Sequence, residues 1–293
     1  MKSLVLFCKS YRTDLNRVVR LALSIKRFNT DNIPFHVSVP AEDLALFHEH
    51  LAPHGAVIHS DDDILRASPN NLEFVKSLPG ATSQQIVKSE FWRLDTCESY
   101  LCLDSDAFFI RNFSHSDFLT SQGVPYTIID EGRDLLEDAI VHKKSLVLEQ
   151  FRAEASRMQA VFDRTGKHYS FGPMPIVWHR KVWDSLEHSF LRPQGLTLAQ
   201  CIAQHPMEIR WYGEALLKFK AIPLHPCQPF FKVYHYAWQL DLAEKSVGAR
   251  ALSELYLGVI HQSSWDRSMD WPHEAGGALS IAARRVKRLL GRV

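Results

Sequence analysis

Asp104 and Asp106 stand one residue apart at the end of an apolar run, in YLCLDSDAFFI over residues 100 to 110. Buried carboxylates are costly unless a cation meets them. Residues i and i+2 leave a strand on one face, so where the chain turns both carboxylates can close on a single ion. A hard divalent cation, Mn²⁺ or Mg²⁺, takes such oxygens and keeps open positions for substrate phosphates. Lys88 lies in SQQIVKSEFWRLDTC just upstream, with Gln84 and Gln85 one helical turn earlier on nearly the same face. A lysine there offsets phosphate charge, and the glutamines can hold sugar hydroxyls. The plain alternatives are a loop-capping aspartate pair and a solvated helix face.

Something must hold these groups in place. Tyr100 to Leu103 reads as a strand buried on both faces, which puts the aspartates at its C-terminal mouth, where open α/β sheets bind ligands. Leu4 to Cys8 reads as a first buried strand, followed by the loop KSYRTD and a helix with Leu15, Val18, Val19, Ala22 and Ile25 at helical spacing, capped by Thr13 or Asp14. Phe35 to Val39 is expected as a strand, Glu42 to Leu51 as a helix and Ala56 to His59 as a strand. That alternation implies a mostly parallel sheet flanked by helices. Ser60 to Thr82, with DDD, SPNN and LPGA, reads as a long loop, and Ser83 to Glu98 as a helix. Further on, Pro125 to Asp130 and Met174 to Trp178 read as strands, Lys144 to Arg164 as a helix, and EIRWYGEALLKF after Pro206 as another.

The chain has 293 residues, 46% hydrophobic and 23% charged, with a formal net charge of +1. It can bury a large core, and its charge balance points to no nucleic-acid partner. Cys8, Cys97, Cys102, Cys201 and Cys227 are scattered without a CxxC pair, against a disulfide framework or a thiolate zinc site. The apolar run in MKSLVLFCKSY is too short for a signal or a membrane span, so the expected place is the cytoplasm.

The combined pattern QQIVK…YLCLDSDAFFIRNF, with the opening FCKSYRTDL, resembles a family of bacterial GT-A-type glycosyltransferases that carry a DxD motif and are associated with surface polysaccharides. The resemblance covers residues 1 to about 125 well and is patchier beyond. It implies a GT-A, Rossmann-like, nucleotide-sugar-binding fold over residues 1–272, with a nucleotide-binding half (1–125) and an acceptor half (126–272). It also implies hexosyltransferase-like transfer from a nucleotide diphosphate donor, a UDP-sugar first, to a saccharide or lipid-linked acceptor. Asp106 would ligate the metal, and Asp104 would reach it through water or meet the donor ribose. Ser10 and Tyr11 would meet the nucleotide, with Gln85 and Lys88 beside them. MEIRWYGEALL resembles the family's E-x-x-x-Y-G pattern, giving Glu208, Tyr212 and Gly213. Glu208 becomes the first choice for the base that takes the acceptor proton, and Glu214 the second. A third metal ligand near the C-terminus falls on His261 in LGVIHQSSWD, followed by Gln262, Ser263 and Ser264 as phosphate donors; His235 in VYHYAW competes.

The rival readings are a noncatalytic sugar-nucleotide or polysaccharide-binding protein, a haloacid-dehalogenase-type phosphohydrolase, and a nucleotidyltransferase. The dehalogenase motif normally lies near the N-terminus, and a nucleotidyltransferase wants a glycine-rich first loop that KSYRTDL lacks. The tail, 273–293, sets Leu279, Ala282, Ala283, Val286, Leu290 and Val293 on one face among five basic residues between 284 and 292. That composition suits a helix on the inner face of an anionic membrane.

Overall fold

The computed structural model describes residues 2–141, 143, 145–235, 239–240, 243 and 248–262. The expected tail helix, Ser263 and Ser264 lie outside them. The described residues build a central sheet of five strands in the order β3-β2-β1-β4-β7, mostly parallel and flanked by helices, in a Rossmann-like α/β arrangement. Its strands are β1 (Lys2–Lys9), β2 (Phe35–Val39), β3 (Ala56–Ser60), β4 (Cys97–Leu103) and an antiparallel β7 (Ile176–His179). Strand β1 pairs with β2 on one side and β4 on the other, so Leu4 to Cys8 are wholly buried and apolar. Buried side chains from Leu4 to Ile260 join one hydrophobic cluster.

The register decides where the chemistry can lie. Cys8 pairs with Leu103, Lys9 with Ser38, and Val39 with Ser60. Four parallel strands therefore end level, and Lys9-Ser10-Tyr11 leaves the sheet beside Asp104-Ser105-Asp106. Helix α1 (Leu15–Phe28) packs its apolar stripe on the core, as its spacing predicts. Asp14 holds its N-cap position but makes no capping bond, because its carboxylate is used elsewhere.

The long loop expected over Ser60 to Thr82 is instead two short helices, α3 (Asp61–Arg66) and α4 (Leu72–Ser77). The Ser60 side chain accepts from the Asp62 amide at 3.2 Å and the Asn71 side chain from the Phe74 amide at 3.1 Å. The polar residues that look like turn formers are helix N-caps, and the acidic triplet sits in a first turn, where the helix dipole favours it. The helix expected over Ser83 to Glu98 is α5 (Gly80–Glu90), followed by a 3₁₀ turn (Phe91–Leu94) that ends at Asp95 in the left-handed region. Beyond β4, a short strand β5 (Ala107–Phe109) leaves the central sheet for a three-stranded one with β9 (Phe231–Tyr234) and β10 (Gly258–His261). The strand expected over Pro125 to Asp130 shortens to β6 (Tyr126–Ile128), paired with β8 (His225–Cys227). The helix expected over Lys144 to Arg164 is α7 (Ser145–Val161), preceded by α6 (Arg133–Val141). Among the described residues no helix is long and apolar enough to cross a membrane.

Helix α10 (Glu208–Phe219) explains two members of the E-x-x-x-Y-G pattern through packing. The Tyr212 hydroxyl accepts from the His179 amide at 2.9 Å, tying α10 to β7. A Cβ on Gly213 would overlap the Phe171 ring. Gly213→Ala should therefore destabilise the fold by about 1–3 kcal/mol, the usual cost of overpacking. A denaturant midpoint equal to wild type would remove this explanation of the glycine.

Candidate active site

The level strand ends open into a cleft of about 600 Å³. Lys9, Ser10 and Tyr11 line it beside Asp104 to Asp106, together with Lys88 and with Gly80, Ala81 and Ser83 from the first turn of α5.

Lys88, almost fully buried on α5, gives its ammonium to Asp104 Oδ1 at 2.6 Å and stands 4.0 Å from Glu208 Oε1. Burial alone would lower the lysine's pKa. The neighbouring negative groups, Asp104 foremost, outweigh burial and hold it above its ordinary value, so it stays charged. Glu208 opens α10 and is buried too, and burial pushes its carboxyl above the usual carboxylate range. The Lys88 charge opposes that rise, while Asp104 adds to it. The Gln85 side chain accepts from the Glu208 amide at 3.3 Å. Burial also raises the Cys8 and Cys102 thiols, which are neutral packing groups beneath the cleft.

Asp106 is buried, and its backbone carbonyl accepts from the Arg20 guanidinium at 3.3 Å and from the His261 amide at 3.2 Å. Ser105 donates to Asp14 Oδ2 at 2.8 Å, and the other Asp14 oxygen takes Arg17. Elsewhere in the lining the Lys9 ammonium meets Asp61 Oδ2 at 2.8 Å. Asp61 Oδ1 and the buried Ser10 hydroxyl are left without a hydrogen-bond partner. Burial raises the Asp61 carboxyl, and Lys9 pulls it back.

Of the residues singled out in the sequence, Ser10, Tyr11, Lys88, Asp104, Asp106 and Gln262 line this cleft. The two glutamines exchange roles, for Gln84 lines the cleft while Gln85 holds the start of α10. Glu208 is not in the cleft wall and touches it through Lys88. Glu214 is not brought there at all, because it lies on another face of α10, buried in an ion pair with Arg164 at 2.7 Å. His261 is joined to Asp106 through its backbone, and its ring packs on Phe108 at 5.2 Å between centroids. His235 follows β9, with its amide donating to the Gln239 side chain at 2.7 Å. The pairs Lys9–Asp61 and Asp14–Ser105 were missed in the sequence; their only local signal was Asp14 standing three residues before Arg17.

Among the described residues, no three His, Cys, Asp or Glu side chains are grouped to hold a metal ion, so Asp104, Asp106 and His261 do not form the expected ligand triad. An ion here would have two protein carboxylates at most and would complete its shell with substrate oxygens and water. Mg²⁺ and Mn²⁺ accept that coordination, so the residues fit such an ion. A family model described as a family of unknown function, DUF6492, matches residues 3–257. No curated protein matches the chain.

Proposed function

We propose that this chain, which belongs to the DUF6492 family, is a GT-A-type glycosyltransferase that moves a sugar from a nucleotide diphosphate donor to a saccharide or lipid-linked acceptor. The observation that carries the reading is the pair Asp104 and Asp106, set with Lys88 at level parallel strand ends around a cleft of about 600 Å³. Carboxylates and ammonium groups together suit a metal-bound diphosphate, and a cleft of this size suits a sugar nucleotide. Asp106 and Asp104 would hold Mn²⁺ or Mg²⁺. When bound, the ion neutralises charge developing on the departing diphosphate. Ser10 and Tyr11 would meet the nucleoside, and Gln84 the sugar.

In the transfer step the acceptor oxygen bonds to the anomeric carbon as the carbon–oxygen bond to the diphosphate breaks. Glu208 takes the acceptor proton, and its raised carboxyl makes it a better base than an ordinary glutamate. Its side chain is only 9% exposed, which favours a second reading, a binding protein that holds the donor without turning it over.

Thermal melts with UDP, GDP, ADP and their sugar conjugates, with and without Mn²⁺, test the binding claim. A ligand at 100 times its Kd should stabilise the fold by about 2.7 kcal/mol, and only with metal present. No shift with any of them would overturn both readings. A metal-dependent shift without sugar release or transfer would leave the binding protein.

A further inference from the structure

We propose that Arg17 is a diphosphate-binding residue of the cleft and that Asp14 is its positioning residue, linking it to the Asp104-Ser105-Asp106 loop. The proposal rests on the reading of the cleft as a nucleoside diphosphate site. Asp14, Arg17 and Arg20 recur every three residues from the N-cap of α1, so they share one side of its first turns. Asp14 has given up the capping bond that its position would allow. One of its oxygens holds the Arg17 guanidinium instead, and the other accepts from Ser105 at 2.8 Å. Arg20, further along the same side, donates to the Asp106 carbonyl at 3.3 Å. Helix α1 thus fixes both the loop that bears the two carboxylates and a guanidinium in the same wall.

The cations of the cleft lining, Arg17 with Asp14 among them, all have carboxylate partners. Lys9 is held by Asp61 at 2.8 Å and by the Ser10 carbonyl at 2.6 Å, and Lys88 by Asp104 at 2.6 Å. Arg17 differs in kind: its side chain, 11% exposed and paired with Asp14, ends in a planar fork of N–H donors. Such a fork matches two phosphate oxygens at once, which an ammonium cannot do. Asp14 keeps the fork oriented while the diphosphate is absent, and through Ser105 it ties that orientation to the metal-binding loop.

Calorimetry with UDP, GDP and ADP in Mn²⁺ tests this, using the one that wild type binds tightest and its monophosphate. Arg17→Met should weaken the diphosphate by about 10-fold or more, the scale of a lost charged hydrogen bond, and the monophosphate by less. Arg17→Lys, which keeps the charge and the fold but not the fork, should also bind the diphosphate more weakly than wild type. Asp14→Asn should weaken the diphosphate in the wild-type background and add little in Arg17→Met, since residues acting as one unit are not additive. Wild-type affinity in Arg17→Lys and Arg17→Met would overturn the assignment of Arg17. Fully additive losses would overturn the positioning role of Asp14. If wild type binds none of the three diphosphates, the reading of the cleft has failed and this proposal falls with it.

Discussion

Asp106→Asn is expected to abolish Mn²⁺-dependent nucleotide binding while leaving the melting temperature close to wild type. The cleft offers an ion two protein carboxylates at most, so removing one charge takes away half of its anionic protein ligands. A loss of about 100-fold or more in affinity follows, since disturbing even the partners of metal ligands costs 10–100-fold. The loop keeps an anchor in the variant, because the Asp106 backbone carbonyl accepts from Arg20 and His261. Asp104→Asn should behave differently. Its carboxylate is the 2.6 Å partner of the buried Lys88, and without it the ammonium keeps only Glu208 at 4.0 Å. Breaking one side of a buried pair is destabilising, so this variant should lose stability along with affinity. Calorimetry with UDP and Mn²⁺ beside thermal melts separates the two. Unchanged affinity in Asp106→Asn would end the metal assignment.

Glu208→Gln should keep donor affinity and lose turnover by about 10²-fold or more, the scale of a removed general base. The rate should also depend on pH in a defined sense. The base acts only when ionised, and burial raises its carboxyl above the usual range, so wild-type turnover should fall on acidification at a higher pH than an exposed glutamate would give. That acidic limb should be absent from the residual rate of Glu208→Gln. Glu214→Gln gives the contrasting result, a stability loss from the stranded Arg164, with turnover per folded molecule unchanged. Full turnover in Glu208→Gln would make the residue a counterion of Lys88 and nothing more.

The middle of the central sheet was legible because β1 and β4 are buried on both faces and run apolar without a break over Leu4 to Cys8 and Tyr100 to Leu103. The Asp104–Asp106 pair was legible for the same reason, since charge at the end of such a run needs an explanation. The segment after Ser60 was not, because serine, asparagine and aspartate mark turns and helix caps alike. Gln84 and Gln85 could not be told apart, as neighbours on a helix differ by about 100° and only the packing of α5 says which faces the cleft. Asp14 and Ser105 stand 91 residues apart, and no local pattern joins them. Glu214 was misplaced for a simpler reason. A buried glutamate on the same helix as Glu208 looks equally available until its arginine is found.

The chain passes from the central sheet to the three-stranded one through Asp104-Ser105-Asp106, because β5 pairs with β10 directly after Asp106. The loop of the two aspartates is therefore a joint between two plates. The 3.2 Å bond from the His261 amide to the Asp106 carbonyl clamps that joint to the last residue of β10. Gln262, the next residue, lines the cleft and donates its amide to the Tyr234 carbonyl at 2.9 Å, so β9 and β10 hold the joint together.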